Sequence, residues 1–206
     1  MKILNLYAGI GGNRKLWGDE HEITAVEYVP EIAKIYQDFY PNDKVIIADA
    51  HQYLLEHFSE FDFIWSSPPC PTHSRVAKAG AISVKGKINY VSYPDMKLYE
   101  EILLLQGYFK GKWCVENVIA WYDPLIPPNE IADHYFWTNF ILLPFTGNGR
   151  NHHGGVEGLQ VTKGFNLEKY KGIDKIKILR NCVEPEVGKH ILDLAINPIN
   201  LQKSIF

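Results

Sequence analysis

Short apolar segments of strand length alternate with helical ones from the N-terminus to about residue 118, and this alternation restricts the fold more than any single motif. Residues 3–7 read as a strand ending in a glycine turn and residues 23–28 as a second strand; Pro30 then opens a helix through Tyr40. Proline suits a first helical position because the N–H it lacks has no partner there. Residues 45–48 and 61–65 read as further strands, and a long loop spans about 68–92. A helix over 94–109 and a strand over 113–115, ending at Glu116 and Asn117, complete the pattern. Such alternation predicts an α/β, doubly wound sheet, which binds ligands at the carboxyl ends of its strands. The unusual polar clusters all stand just after strands.

Beyond this region the composition changes. Residues 135–143 suit a strand or one half of a hairpin, and residues 146–158 are rich in Gly, Asn and His. Residues 163–180 carry Lys163, Lys169, Lys171, Lys175, Lys177 and Arg180, and Pro185 opens a final helix to Ile196. The expected organisation is a main domain of residues 1–144 plus 179–206, with 145–178 inserted as a small excursion.

The chain of 206 residues is 46% hydrophobic, enough for one well-cored domain. Its formal charge of -3 gives no global basic field, so any positive surface must be local. Cys70, Cys114 and Cys182 have no metal-ligand spacing and make an odd number, which argues against a disulfide framework or structural metal and suits a reducing cytoplasm. No segment approaches the roughly 20 apolar residues that span a bilayer. The start, MKILNLYAGIGG, reads as a core strand rather than a leader.

Tyr7, Ala8, Gly9, Ile10, Gly11 and Gly12 form a loop between a strand and an expected helix, where glycines allow a tight turn and close approach to a ligand. A purely structural turn would look the same. Glu27 ends the next strand, where a carboxylate can accept from ribose hydroxyls, and Asp49 ends the third, where it can accept from an adenine amino group. The ordered acids favour a nucleoside site. No Lys-Ser or Lys-Thr closes the loop, so it is not a Walker loop.

After the fourth strand comes Ser66-Ser67-Pro68-Pro69-Cys70-Pro71-Thr72-His73-Ser74-Arg75. Prolines hold the backbone extended and fix where the thiol points. Cys70 reads as a nucleophile, with Arg75 and His73 as candidates to lower its pKa; the bland alternative is a small apolar loop residue. Glu116 ends the fifth strand and should lie beside Cys70, unless it is only a strand-end acid, and Asn117 could fix the loop.

In this order the residues resemble the DNA cytosine-5 methyltransferase family. LNLYAGIGG is similar to its first motif, VEYVPEIAKIY to its second, and ADA around Asp49 to its third. SPPC at 67–70 resembles the catalytic proline-cysteine motif and ENV at 116–118 the catalytic glutamate motif. Asn181, Cys182 and Val183 open a segment similar to the closing motif, and HYFWTN at 134–139 is similar to the segment that usually carries paired arginines near the target base. The resemblance covers roughly 1–139 and 178–196.

It implies a Rossmann-like domain that binds S-adenosylmethionine through Tyr7 to Gly12, Glu27, Tyr28, Asp49, Ala50, Pro68 and Asn181 to Val183. Cys70 would add to carbon 6 of a flipped-out cytosine while Glu116 acts at ring nitrogen 3, assisted by Asn117. Pro69, Ser74, Arg75, Lys78, His134 and Arg150 are the expected contacts to DNA, with 145–178 as a short target-recognition region. The chain departs from the family pattern at Pro71, where glutamine commonly stands, at His134, where arginine is expected, and at Arg180, where glycine usually precedes the asparagine. With so short a recognition region, a protein partner could supply part of the specificity.

An amino-methyltransferase is disfavoured, because it uses an aromatic where Cys70 stands. An RNA cytosine-5 methyltransferase and a partner-dependent regulatory subunit of the same fold remain open.

Overall fold

A computed structural model describes residues 1–75, 93–147 and 155–197. Its centre is a seven-stranded sheet in the order β3-β2-β1-β4-β5-β7-β6. The strands are β1 (Lys2–Leu6), β2 (Glu22–Glu27), β3 (Lys44–Ile47), β4 (Phe63–Ser66), β5 (Lys112–Val118), β6 (Asn129–Ile131) and β7 (His134–Thr138). β1 to β5 are parallel where they pair, and β7 runs antiparallel to both β5 and β6. The chain order reverses between β1 and β4, so the loops leaving those strands diverge and open a crevice.

Side chains alternate across the sheet with period two. Leu4, Leu6, Val26, Ile64, Trp113 and Val115 face one side, where Leu54 of α2 (Ala50–His57) and Leu98, Ile102 and Leu105 of α3 (Lys97–Tyr108) cover them. Ile3, Ile23, Phe63, Trp65, Cys114 and Phe136 face the other, packed by Trp17 and by Val187, Ile191 and Leu192 of the C-terminal helix Pro185–Ile196. On that second side α1 (Pro30–Phe39) places Tyr36 against Ala25. Both faces are covered, which is why the central strands read as continuous apolar runs.

Several elements differ from the sequence reading. The glycine loop leads into a single 3-10 turn, Asn13–Leu16, not a regular helix. Asn13 turns inward to donate to Asn5 Oδ1 at 2.8 Å, and the C-terminal helix crosses closely through Gly188, where a side chain would strike the Asn13 backbone. α2 has no counterpart among the elements expected from sequence; Asp49 caps it by accepting from Gln52 N. β5 runs past Val115 to Val118, carrying Glu116 and Asn117 inside the strand. The hairpin β6–β7 turns on Ala132 and Asp133, both with left-handed φ (48° and 62°). That is the geometry of a type I′ turn, and the usual Asn-Gly signal is absent.

The described part of the 145–178 excursion holds helices α4 (Val156–Lys163) and α5 (Lys175–Arg180). It does not stand apart. Leu159, Phe165, Leu167 and Leu179 share a core with Ile10 of the glycine loop, Ile35 of α1 and Cys182. Lys163, read from sequence as one of a basic run, is buried: its ammonium donates to Cys182 O and Glu184 Oε1, both at 2.6 Å. The C-terminal helix is hereafter α6.

Burial opposes ionisation of Glu184, but the Lys163 charge overcomes it and holds the carboxyl below its ordinary range. A lowered carboxyl stabilises the fold fully above the ordinary carboxylate range and loses that contribution as the pH falls through its folded value. Replacing Lys163 with Met strands the buried Glu184 charge and is expected to cost about 3 kcal/mol or more, mostly recovered in a K163M/E184L double variant. Urea unfolding at neutral pH measures both.

Candidate active site

The loops after β1, β2, β4 and β5 open into one cleft of about 980 Å³. The sheet register sets this convergence: Leu6 and Ser66 are level, and Ser66 is level with Val115. The segments leaving these three strands therefore emerge at one height.

On the β1 side, Tyr7, Ala8, Gly9, Ile10 and Gly12 line the cleft. Gly9 has a left-handed φ of 55° and donates its N–H to Glu27 Oε2 at 3.0 Å. A side chain at Gly9 would meet nothing within 4 Å, so the loop backbone faces open space that a ligand can fill. Gly11 does not line the cleft; it packs behind the loop against the Tyr36 and Tyr40 rings, and its carbonyl accepts from Tyr40. At Gly12 a side chain would collide with Cys182 and Val183, so its absence brings the C-terminal segment to the cleft. Asn181, Cys182 and Val183 accordingly form part of its wall.

Glu27 Oε1 accepts from Val29 N at 2.9 Å, so each carboxylate oxygen has one backbone donor and a further lone pair for a ligand. Tyr28, Asp49, Ala50 and Pro68 also line the space. The Gln52 N–H that Asp49 caps holds its carboxyl below the ordinary range, and its other oxygen lies 3.9 Å from Lys97 Nζ.

Cys70 and Glu116 border the same cleft from neighbouring strands, as do Pro69, Asn117 and His134. Cys70 is half-buried. Asn117 ties the two strand ends together, donating to Pro68 O at 3.0 Å while its Oδ1 accepts from Val118 N. The remaining residues expected at the site fall elsewhere. Ser74 forms a bridge to Ala120, and Arg75 Nε donates to Ala120 O at 3.2 Å; neither lines the cleft. Lys78 and Arg150 lie outside the described residues. His73 is buried 2.6 Å from Tyr122 OH, and burial pushes its imidazole below the ordinary value. A neutral ring gives a thiolate no charge support.

The sequence reading missed Glu101. Fully buried on α3, it accepts from Tyr7 OH at 2.6 Å, pairs with His51 Nδ1 at 3.0 Å and accepts from Ser66 Oγ at 2.5 Å. One carboxylate thus pins the β1 loop, the first turn of α2 and the last residue of β4. Tyr7, a non-glycine residue at φ 55°, is held in this strained conformation partly by that bond. The adjacent Glu100 and Glu101 of this helix give no signal in sequence of which one is buried. Gly172, Ile173, Asp174, Lys177 and Arg180 also line the cleft, although they come from the excursion and its edge.

The strand order, the antiparallel β7 and the ligand cleft at the switch point define a methyltransferase-type Rossmann-like fold. Residues 1–88 match the family model described as C-5 cytosine-specific DNA methylase. That stretch carries the glycine loop, Glu27, Asp49 and Cys70, and is similar to those methylases. No curated protein matches the chain.

Among solved structures, the Entamoeba histolytica methyltransferase EhMeth is 11% identical, with a TM-score of 0.54, 96% of this chain covered and 98% of that one. At that identity the likeness is one of fold. A Spodoptera frugiperda DNMT2 mutant is 25% identical with a TM-score of 0.37, over 57% of this chain and 35% of its own. The putative methyltransferase yhhF of Escherichia coli is 15% identical with a TM-score of 0.43, over 66% of this chain and 73% of that one.

The Glu101 hydrogen bond, chiefly, raises His51 above the ordinary imidazole value. A raised group stabilises fully below its unfolded value, about 6.5, and the contribution is lost as pH rises through the folded value. Urea midpoints should therefore fall from pH 6 toward pH 9 in the wild type, and His51→Gln should flatten that trend.

Proposed function

We propose that this protein transfers a methyl group from S-adenosylmethionine to carbon 5 of cytosine in DNA, with Cys70 as nucleophile. The observation that carries the reading is the opening of Cys70 and Glu116 into the cleft that the glycine loop, Glu27 and Asp49 also line. Residues 1–144 and 179–206 serve as the catalytic domain, and 145–178 as a small recognition region whose Lys177, with neighbouring Arg180, brings positive charge to the cleft for phosphate contact.

The residues present fit the cofactor. Glu27 offers a lone pair on each oxygen to ribose hydroxyls, Asp49 has an oxygen free of its capping bond, and Gly9 leaves room for the nucleoside. Bound there, S-adenosylmethionine supplies an electrophilic methyl group. Carbon 5 of cytosine is too weak a nucleophile to take it unaided.

Cys70 corrects this by adding its thiolate to carbon 6, forming a sulfur–carbon bond and breaking the 5,6 double bond. Glu116 meets the charge that would build up on the ring by giving a proton to nitrogen 3. Asn117, bonded to Pro68 O, keeps the thiol loop and the glutamate strand in register. After methylation, the nitrogen 3 proton returns to Glu116, and transfer of the carbon 5 proton to water in the open cleft re-forms the 5,6 double bond and expels the Cys70 thiolate. The target base must leave the stack, because carbon 6 is unreachable within a duplex.

DNA containing 5-fluorocytosine tests the chemistry, since fluorine cannot leave as a cation and the adduct persists. The purified protein with S-adenosylmethionine should form a covalent complex that Cys70→Ser abolishes; trapping that survives in the serine variant overturns the mechanism. Methylation of ordinary DNA should fall by about three orders of magnitude or more in Cys70→Ser, and at least about 100-fold in Glu116→Gln.

The cofactor assignment has a separate measurement. Glu27→Ala should weaken S-adenosylmethionine binding by about 10- to 100-fold in calorimetry, the loss expected for hydrogen bonds to a charged group.

A further inference from the structure

Glu116 has a titratable neighbour in the place where the family carries arginine. In the antiparallel pair β5–β7, Glu116 stands opposite Phe136, and His134 lies one diagonal step away on the same face. His134 Nε2 is 3.5 Å from Glu116 Oε1, with each side chain only 9% exposed. The other ring nitrogen, Nδ1, is 3.2 Å from the carbonyl of Ala132, in the left-handed turn that starts β7.

A carbonyl only accepts, so Nδ1 must carry a hydrogen. Nε2 can then meet Glu116 favourably in two ways. An imidazolium N–H can face a carboxylate, or the lone pair of a neutral ring can accept from a protonated carboxyl. Both arrangements hold a single proton between the two groups. Without it, lone pair faces lone pair between two largely buried side chains.

Among the described residues, other titratable groups border the pair. Glu184 at the start of α6 interacts with His134 electrostatically, but Lys163 already neutralises it. Cys114 of β5 is buried, and both burial and the Glu116 charge push its thiol up, so it stays protonated. Asp133, next to His134 in the turn, is exposed, and Cys70 lines the same cleft.

From this geometry we infer that His134 is the proton-holding partner of Glu116, a positioning residue that keeps the glutamate able to present a hydrogen to ring nitrogen 3. The inference rests on the proposed cytosine chemistry. The pair lends its proton to nitrogen 3 as the thiolate adds at carbon 6, and takes it back as the thiolate leaves. Nothing is consumed. An arginine in this position could not do the same, because it does not titrate in the working range.

The pH profile of methyl transfer, from pH 5.5 to 9.5 at saturating S-adenosylmethionine, tests it. The wild type should show a basic limb falling about tenfold per pH unit as the shared proton is lost. His134→Gln should lose about tenfold in rate at pH 7 and show a flattened basic limb, and His134→Arg should flatten it too; limbs unchanged in both variants overturn the inference.

A measurement independent of activity guards against a folding defect. In nitrogen-15 NMR of the folded proteins, the His134 Nε2 signal should move between wild type and Glu116→Gln while Nδ1 stays protonated in both; an Nε2 signal unchanged by the substitution also overturns it. Adduct formation with 5-fluorocytosine DNA separates the levels. If wild type forms no Cys70 adduct, the parent reading fails; if it does and the limbs do not respond, only the role of His134 fails.

Discussion

β4 pairs with β1 on one side and β5 on the other, and the cleft depends on that placement. Its last residue, Ser66, is level with Leu6 and with Val115. The glycine loop, the Pro68–Cys70 turn and Glu116 therefore leave the sheet at one height, although they lie far apart in the chain. A parallel sheet whose order reverses beside β4 cannot avoid opening a crevice there. The residues with reactive or hydrogen-bonding side chains stand at its rim because that is where strands end.

Buried polar pairs turn this crevice into a defined site. Glu101 takes three donors from three elements around the cleft. Arg14 meets Asp43 with two bonds, at 2.9 and 3.1 Å, and Tyr36 adds a third donor to the same carboxylate, locking α1 behind the glycine loop. Lys163 and Glu184 fasten the excursion to the start of α6. Each of these charges would be costly if left alone in a low-dielectric interior, so each fixes its neighbours in position. His134 and Glu116 meet in the same way at the rim of the cleft, Nε2 to Oε1 at 3.5 Å.

Much of this was legible in the chain itself. Strands were readable because both sheet faces are covered and the central strands are mostly apolar. Pro30 and Pro185 marked helix starts because proline tolerates those positions and few others. The cleft-lining residues could be named because chemistry in this fold class sits at strand ends. What escaped was either short or non-local. The turn at Ala132 and Asp133 has no glycine to announce it, and α2 is only eight residues long. Glu101 and Lys163 look like ordinary helix-surface charges, since helical periodicity cannot tell which charged residue has a buried partner.

The sequence by itself determined the α/β class, the glycine loop, the ordered acids and the proline-braced thiol, because each depends on local spacing and backbone preference. Only the tertiary structure decided that residues 155–182 pack beside the glycine loop and line the cleft instead of standing apart as a separate unit. It alone placed His73 in a neutral, buried position and His134 against Glu116. Those outcomes depend on which strands pair and in what register, and that is settled by burial of distant apolar surface rather than by any residue's neighbours in the chain.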